Sequence, residues 1–471
     1  MIVRLVFSLL IALAIGLVVV RGLGPRPPSR WIRLIWQLAL AVGIGLGLSS
    51  CTFFLWALLF NPLTPGLLIA EIVLCSLLAV GFAVWNRRRR HGGHPIPPTR
   101  LGPAWLPRML AGACALAVIV AVVRLVCISW LEPNGGWDAW AIWNTHARFL
   151  FRGGEHWRDS FSSLLVTHPN YPPLLPMAVA RLWVSAGDEI LAVPALVAGL
   201  FTLATVGTVI AALGILRSQS QASLAGLVLL GTDYFLEQGA SQYADVPLGF
   251  FIVTTIALCL IADQVPESSS GSLRLAGVTA GCAALTKNEG LLFVVAVVIG
   301  RALILVPQEG FLVFLRRLTP FVLGLLPVLA FLGYFKWGVA PPIDAISLGG
   351  LGDLVNKIFA PSRYVMIINH TMMKVVLFCQ GAILLPFALL MGVVRRETRR
   401  SVLAPSAAVV GLMMVGYFVA YLLSPYELEW HLRTSVDRLL IQLWPSAVLL
   451  AFVALRAPED MVIDVLGRGR R

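Results

Sequence analysis

The residues able to do chemistry in this chain are few, and they are gathered. Asp138 stands in "PNGGWDAWAIWNTHARFLFRGG" (Pro133 to Gly154), which also holds Trp137, Trp140, Trp143, His146 and Arg148 between two glycine pairs. A carboxylate partly withdrawn from water beside a bilayer can take a proton from an incoming hydroxyl, as a general base. Its plainer job is an N-cap, because a segment that reads as a helix to about Phe151 follows it. Asp245 in "YADVPL" has the same plain reading, with Pro247 suited to the first helical turn. Lys287 and Glu289 interrupt an apolar run in "LTKNEG". Ionisable groups at such depth are costly, so they pair with each other or line a cavity. In "YELEWHLRTSVDRLLIQLWP", a helix from Glu429 puts His431, Ser435 and Arg438 on one face. Arg433 is spaced to pair with Glu429 or Asp437 on that same helix. His168 opens "HPNYPPLLP". The tryptophans Trp137, Trp140, Trp143 and Trp157 suit either interfacial anchors or platforms for a sugar ring.

Elements that cross a membrane must position these residues. The chain is 58% hydrophobic and only 13% charged, a balance foreign to a soluble enzyme of 471 residues. A span needs about 20 apolar residues. Windows of that kind predict about thirteen spans: 2–20, 33–60, 63–85, 108–131, 190–215, 222–238, 246–263, 273–287, 290–306, 318–338, 365–394, 402–424 and 437–455. The pair between Leu273 and Val306 is short and reads as broken or re-entrant. The fold class is therefore an all-α polytopic membrane protein. Four regions follow: three spans in 1–85, a basic proline-rich linker in 86–107, the polar-cluster region in 108–455, and a basic tail in 456–471.

The net charge of +13 is distributed so as to orient the chain rather than to bind nucleic acid. Basic clusters at Arg21–Arg33, Arg87–Arg90, Arg316–Arg317, Arg395–Arg400 and Arg468–Arg471 fall on one side, which the positive-inside rule makes cytoplasmic. Every polar segment quoted above then lies on the outer face, with Glu132–Tyr171 as a long first outer loop carrying juxtamembrane helices. The seven cysteines fall within predicted spans without metal-ligand spacing, and no second histidine near His431 makes a metal site. The first apolar stretch lacks a small-x-small cleavage site and ends in Arg21, so it reads as a retained span. Nucleotide and serine-hydrolase motifs do not occur.

Taken in order, "GWDAWAIW", "HPNYPPLLP", "YADVPL", "LTKNEG" and "DRLLIQLWP" resemble the GT-C superfamily of membrane glycosyltransferases, which includes protein O-mannosyltransferases and lipid A aminoarabinose transferases. The resemblance covers roughly 108–455 and implies a GT-C-like bundle in a bacterial inner membrane. It matches Asp138 to the catalytic aspartate, His168 to the start of a "HPPL"-like element, and Lys287 and Glu289 to an "LTKGEG"-like turn. The chain departs from the pattern at Ala139, where many relatives carry a second acid. It departs again near Pro172 and Pro173, where relatives often place a lysine and this chain offers only His168.

The resemblance implies an inverting transfer from a polyprenyl-phosphate-linked sugar to a lipid, glycan or protein acceptor. Asp138 would deprotonate the acceptor, and Lys287, His431, Arg433 and Arg438 would stabilise the leaving phosphate. Asp245, His168, Glu289, Trp137, His146 and Arg148 are further site candidates. No cofactor is needed, and a divalent cation stays open. Membrane lipids are partners of any such chain. The competing classes are a transporter or lipid-carrier flippase, and a non-catalytic assembly scaffold.

Overall fold

In the structure, a computed structural model, the residues described are 1–27, 29–88, 105–162, 168–265, 269–341, 351–377, 383–394 and 402–460. Most of the 86–107 linker, most of the basic tail, Cys379, and the Arg395–Arg400 and Arg468–Arg471 clusters lie outside them. The described chain is helical, and ten of its helices are long and apolar enough to cross a membrane. It is an all-α, multi-pass membrane protein.

The helices run α1 (Ile2–Leu23), α2 (Arg30–Phe60), α3 (Leu67–Arg88), α4 (Trp105–Leu131), α5 (Asn144–Arg152), α6 (Leu174–Ala186), α7 (Ala192–Leu216), α8 (Gln219–Gly231), α9 (Asp233–Ala240), α10 (Asp245–Gln264), α11 (Ser269–Thr286), α12 (Asn288–Glu309), α13 (Phe311–Gly338), α14 (Leu351–Ile358), α15 (Pro361–Leu377), α16 (Leu384–Met391), α17 (Ala404–Leu422) and α18 (Leu428–Ala454). Helix α10 is the centre. Every residue of its most apolar window is buried. Helices α2, α7, α11 and α18 pack around it, so its sequence is apolar on all sides, as a fully enclosed helix must be.

Several predicted spans are corrected. The span 222–238 breaks at Thr232 into α8 and α9, where Thr232 Oγ1 accepts a hydrogen bond from Trp444 Nε1 at 3.0 Å. The span 273–287 is an 18-residue helix that begins in "SSGS" and is too polar there to count as a spanning candidate. It is broken from the 22-residue α12 at Lys287, whose backbone is extended. The span 365–394 is divided between α15 and α16, with 378–382 outside the described residues. The last span starts at Leu428 rather than 437. Helix α6, 13 residues long and buried along nearly its whole length, was not foreseen.

The first three helices belong to the same core. Helix α2 buries a small-residue face (Gly43, Gly47 and Ser50) against later helices and packs Gly45 on its other side against Ala12 of α1; Gly43 meets the Phe250 ring so closely that a Cβ would lie 1.9 Å from it. A buried ion pair ties α1, α3 and α6 together. Arg181 Nε donates to Glu71 Oε1 at 2.6 Å, and Nη2 donates to Ser8 O at 3.0 Å. Breaking one partner of such a pair strands a buried charge at a cost of about 3–5 kcal/mol.

Alternate ends of the helices fall on two levels. The Arg21–Arg33 connection and Arg316–Arg317 lie at the lower end, and the segment after α4 lies at the upper end. If the positive-inside rule holds, an impermeant thiol reagent on intact cells labels Glu155→Cys, an exposed upper-end position, and spares Arg26→Cys. Reversed labelling would turn the upper end toward the cytoplasm.

Candidate active site

Five ionisable side chains from four segments meet at the upper end. Asp245, the first residue of α10, is fully buried, and its carboxylate is the hub. It accepts hydrogen bonds from Lys287 Nζ at 2.9 Å, Arg438 Nε at 3.0 Å and Gln442 Nε2 at 2.6 Å. Arg438 Nη2 also donates to Asp138 Oδ2 at 2.6 Å, a contact between residues 300 positions apart. Lys287 pairs in addition with Glu289 at 2.8 Å. Beneath the hub, Tyr417 donates to Gln442 Oε1 at 2.7 Å, so α17 is joined to the same network.

Local sequence explains how these groups arrive. Gly135 adopts φ +70°, and a Cβ there would lie 2.6 Å from Ser241 O. Only glycine takes both demands without strain. The Gly136 N–H donates to Ser241 O at 3.1 Å, laying the segment before Asp138 onto the α9–α10 turn. Gln242 fastens the seam: its Nε2 donates to Pro133 O at 3.1 Å, and its Oε1 accepts from Asn144 Nδ2 at 2.8 Å. Tyr243 lies under the Arg438 guanidinium, 4.9 Å from ring centroid to Cζ, where the negative ring face suits a cation. At Gly290 a Cβ would fall 1.9 Å from Ala283 O, so glycine permits the tight α11–α12 turn that presents Lys287.

The two N-cap readings are corrected. Asp138 is followed by a π-helical turn (Ala139–Trp143) and then α5, and its side chain makes no cap hydrogen bond. Asp245 lies inside its helix and makes none either. Both carboxylates are turned toward the cations instead. The Lys287–Glu289 ion pair expected from the sequence does form, and Asp245 is added to it.

His168 stands beside this cluster, in a left-handed conformation (φ +47°), stacked on Tyr171 at 4.5 Å. Tyr171 in turn stacks on the buried Trp143 at 5.5 Å. Burial lowers the His168 pKa from its ordinary value; Asp138 opposes the shift, and Lys287 and Arg438 reinforce it. The imidazole is therefore neutral near pH 7. Burial raises the Tyr171 hydroxyl to about 12.

No family model, curated protein or solved structure matches this chain.

Other predicted candidates stand apart from the cluster. Arg433 is exposed, and Asp437 pairs with Lys374 of α15 at 2.8 Å rather than with Arg433. The five residues from Arg433 to Arg438 turn a helix by about 140° beyond one revolution, which aims the two arginines apart. His431 Nδ1 is bonded to Ser424 Oγ at 2.8 Å and packed between Tyr421 and Tyr426. His146 is buried edge-on to Phe161, and Arg148 pairs with Glu189 at 2.7 Å. Trp137 and Trp140 are exposed in an edge-to-face pair, while Trp143 and Trp157 are core. Among the described residues no group of three acidic, histidine or cysteine side chains could hold a metal ion. Gln242, Tyr243, Tyr417 and Gln442 escaped the sequence reading; Gln242 and Tyr243 lie in the very stretch that holds Asp245.

Proposed function

We propose that the protein is a glycosyltransferase of the bacterial inner membrane, moving a sugar from a polyprenyl-phosphate donor to an acceptor hydroxyl at the outer face, with inversion. The observation that carries this reading is the convergence of Asp138, Asp245, Lys287, Glu289 and Arg438 at one end of the bundle. Arg438 holds Oδ2 of Asp138, leaving Oδ1 to take the acceptor proton. The acceptor oxygen then attacks the anomeric carbon, and the carbon–phosphate oxygen bond breaks with its electron pair going to the phosphate. Asp245, buried and charge-paired, fixes Lys287 and Arg438 in place for this step. His168, neutral and stacked, offers hydrogen bonds to sugar hydroxyls; the exposed Trp137 and Trp140 offer an apolar face.

A carrier fits the geometry less well. Transporters place ion-coupling groups on broken helices near the midplane, whereas Asp245 begins α10 and Lys287 directly precedes α12. The test is sugar transfer by purified protein in nanodiscs, using a labelled polyprenyl-phosphate hexose or pentose and extracted envelope lipids, glycans and proteins as acceptors. Expected is release of polyprenyl phosphate with label appearing in one acceptor fraction. Counter-movement of label across proteoliposomes without bond cleavage would replace the transferase reading with the carrier one.

A further inference from the structure

The charge count of the cluster raises a difficulty for any phosphate-bearing ligand. Three carboxylates (Asp138, Asp245 and Glu289) face two cations (Lys287 and Arg438), and both cations are committed to carboxylates. An anion entering this site would meet net negative charge.

The chain has four lysines. Three are neutralised by acids: Lys287 by Asp245 and Glu289, Lys357 by Asp353, and Lys374 by Asp437. Lys336, in the last turn of α13, is different. Its ammonium donates to Asn170 O at 2.6 Å and to Asn288 Oδ1 at 2.9 Å, both uncharged oxygens. Asn288 opens α12 between Lys287 and Glu289, and Asn170 lies between His168 and Tyr171. The ammonium thus sits at the junction of the two segments that flank the ion cluster. Its Asn288 contact is at a helix start, where the backbone carries partial positive charge, and the acid of that turn, Glu289, is already paired with Lys287. Lys287, at the N-cap position, gives that end no side-chain cap. Arg363 shows the contrast. It too bonds only neutral oxygens, but these are Tyr421 O and Leu422 O at the negative end of α17, which suits a cation.

We infer that Lys336 is the phosphate-binding residue of this site, its half-buried ammonium being the positive charge left over for the phosphate of a lipid-linked ligand. The inference rests on the transferase reading for the identity of that ligand. Lysine serves here as a point charge with three donors, two of which are spent on Asn170 and Asn288 and one of which remains. Lys287 and Arg438 then hold the carboxylates of Asp138, Asp245 and Glu289 in place, as positioning residues, and do not touch the phosphate. A purely structural Lys336 would do no more than pin the 168–171 segment to α12.

The experiment compares binding of decaprenyl phosphate with that of decaprenol to the full-length protein in nanodiscs. The uncharged alcohol isolates the phosphate contribution. The wild type is expected to prefer the phosphate, and Lys336→Met to lose that preference by about ten- to a hundredfold, the value of one charge-assisted contact. Lys336→Arg should keep most of it. Asn288→Ala removes the pin but leaves the charge, and should leave the preference in place. A Lys336→Met protein that still prefers phosphate overturns the inference. So does an Asn288→Ala protein that loses as much as Lys336→Met, or a wild type that does not distinguish the two lipids. Phosphate preference that depends on Lys336, in a protein that transfers no sugar from any donor, would keep the subsite and remove the transferase.

Discussion

Asp138→Asn abolishes sugar transfer while the protein stays folded: that is the expected result. The substitution removes the proton acceptor but keeps an oxygen for Arg438 Nη2, which today bonds Oδ2 at 2.6 Å. A general base contributes on the order of a hundred- to ten-thousandfold, and turnover should fall within that range. Arg438 retains its contacts to Asp245, so thermal unfolding in detergent should move little. Asp138→Ala should lose the same activity. It should not lose the helix-capping energy of about 1 kcal/mol that an N-cap would have supplied, because the Asp138 side chain caps nothing. Transfer by Asp138→Asn at a rate near that of the wild type would exclude Asp138 as the base and move the search to Glu289.

The largest loss of stability is expected at Asp245. Asp245→Ala removes one carboxylate from three donors at once and leaves Lys287 and Arg438 with fewer counter-charges in a closed site. Deleting one partner of a buried charge network costs about 3–5 kcal/mol. The melting temperature and the yield of folded protein should both drop. Asp245→Asn, which still accepts from one donor, should fall between alanine and wild type. Arg433→Ala on the exposed face of α18 is the control and should stay within about 0.5 kcal/mol of wild type. If Asp245→Ala melts with the control, the cluster does not hold α10, α12 and α18 together. Asp138 and Asp245, joined by one guanidinium, would thus separate into a reacting and an organising carboxylate by opposite signatures.

Much of the cluster was legible because a charge in an apolar chain is costly and therefore conspicuous. Asp138, Asp245, Lys287, Glu289 and Arg438 all stand out in that way, each at the end of a hydrophobic run. The sequence did not distinguish Arg438 from Arg433, because the choice depends on where α18 begins and how it is rotated. It also did not separate a capping carboxylate from one turned inward, since both occupy the first turn of a helix. Lys336 and the Arg181–Glu71 pair stayed hidden, as each charge is isolated in its own segment and acquires its meaning only from a partner far along the chain. The break at Thr232 escaped notice because an apolar run does not record a bend that a distant tryptophan N–H stabilises. Helix α6 is too short to register as a span, and it forms because its surroundings enclose it.

The small-residue face of α2 bears on how the protein is made. A chain inserted from its N-terminus delivers α2 to the bilayer well before α6, α10 and α11, the helices that eventually cover Gly43, Gly47 and Ser50. During that interval the face is smooth and nearly featureless to lipid, while the other side of α2 is already in close contact with α1 through Gly16 and Gly45. Maturation therefore includes a waiting period in which a helical hairpin stands ready for partners still on the ribosome. A bulky residue at Gly43 would act late, blocking the arrival of Phe250, and would yield a chain that is integrated in the membrane yet never assembled.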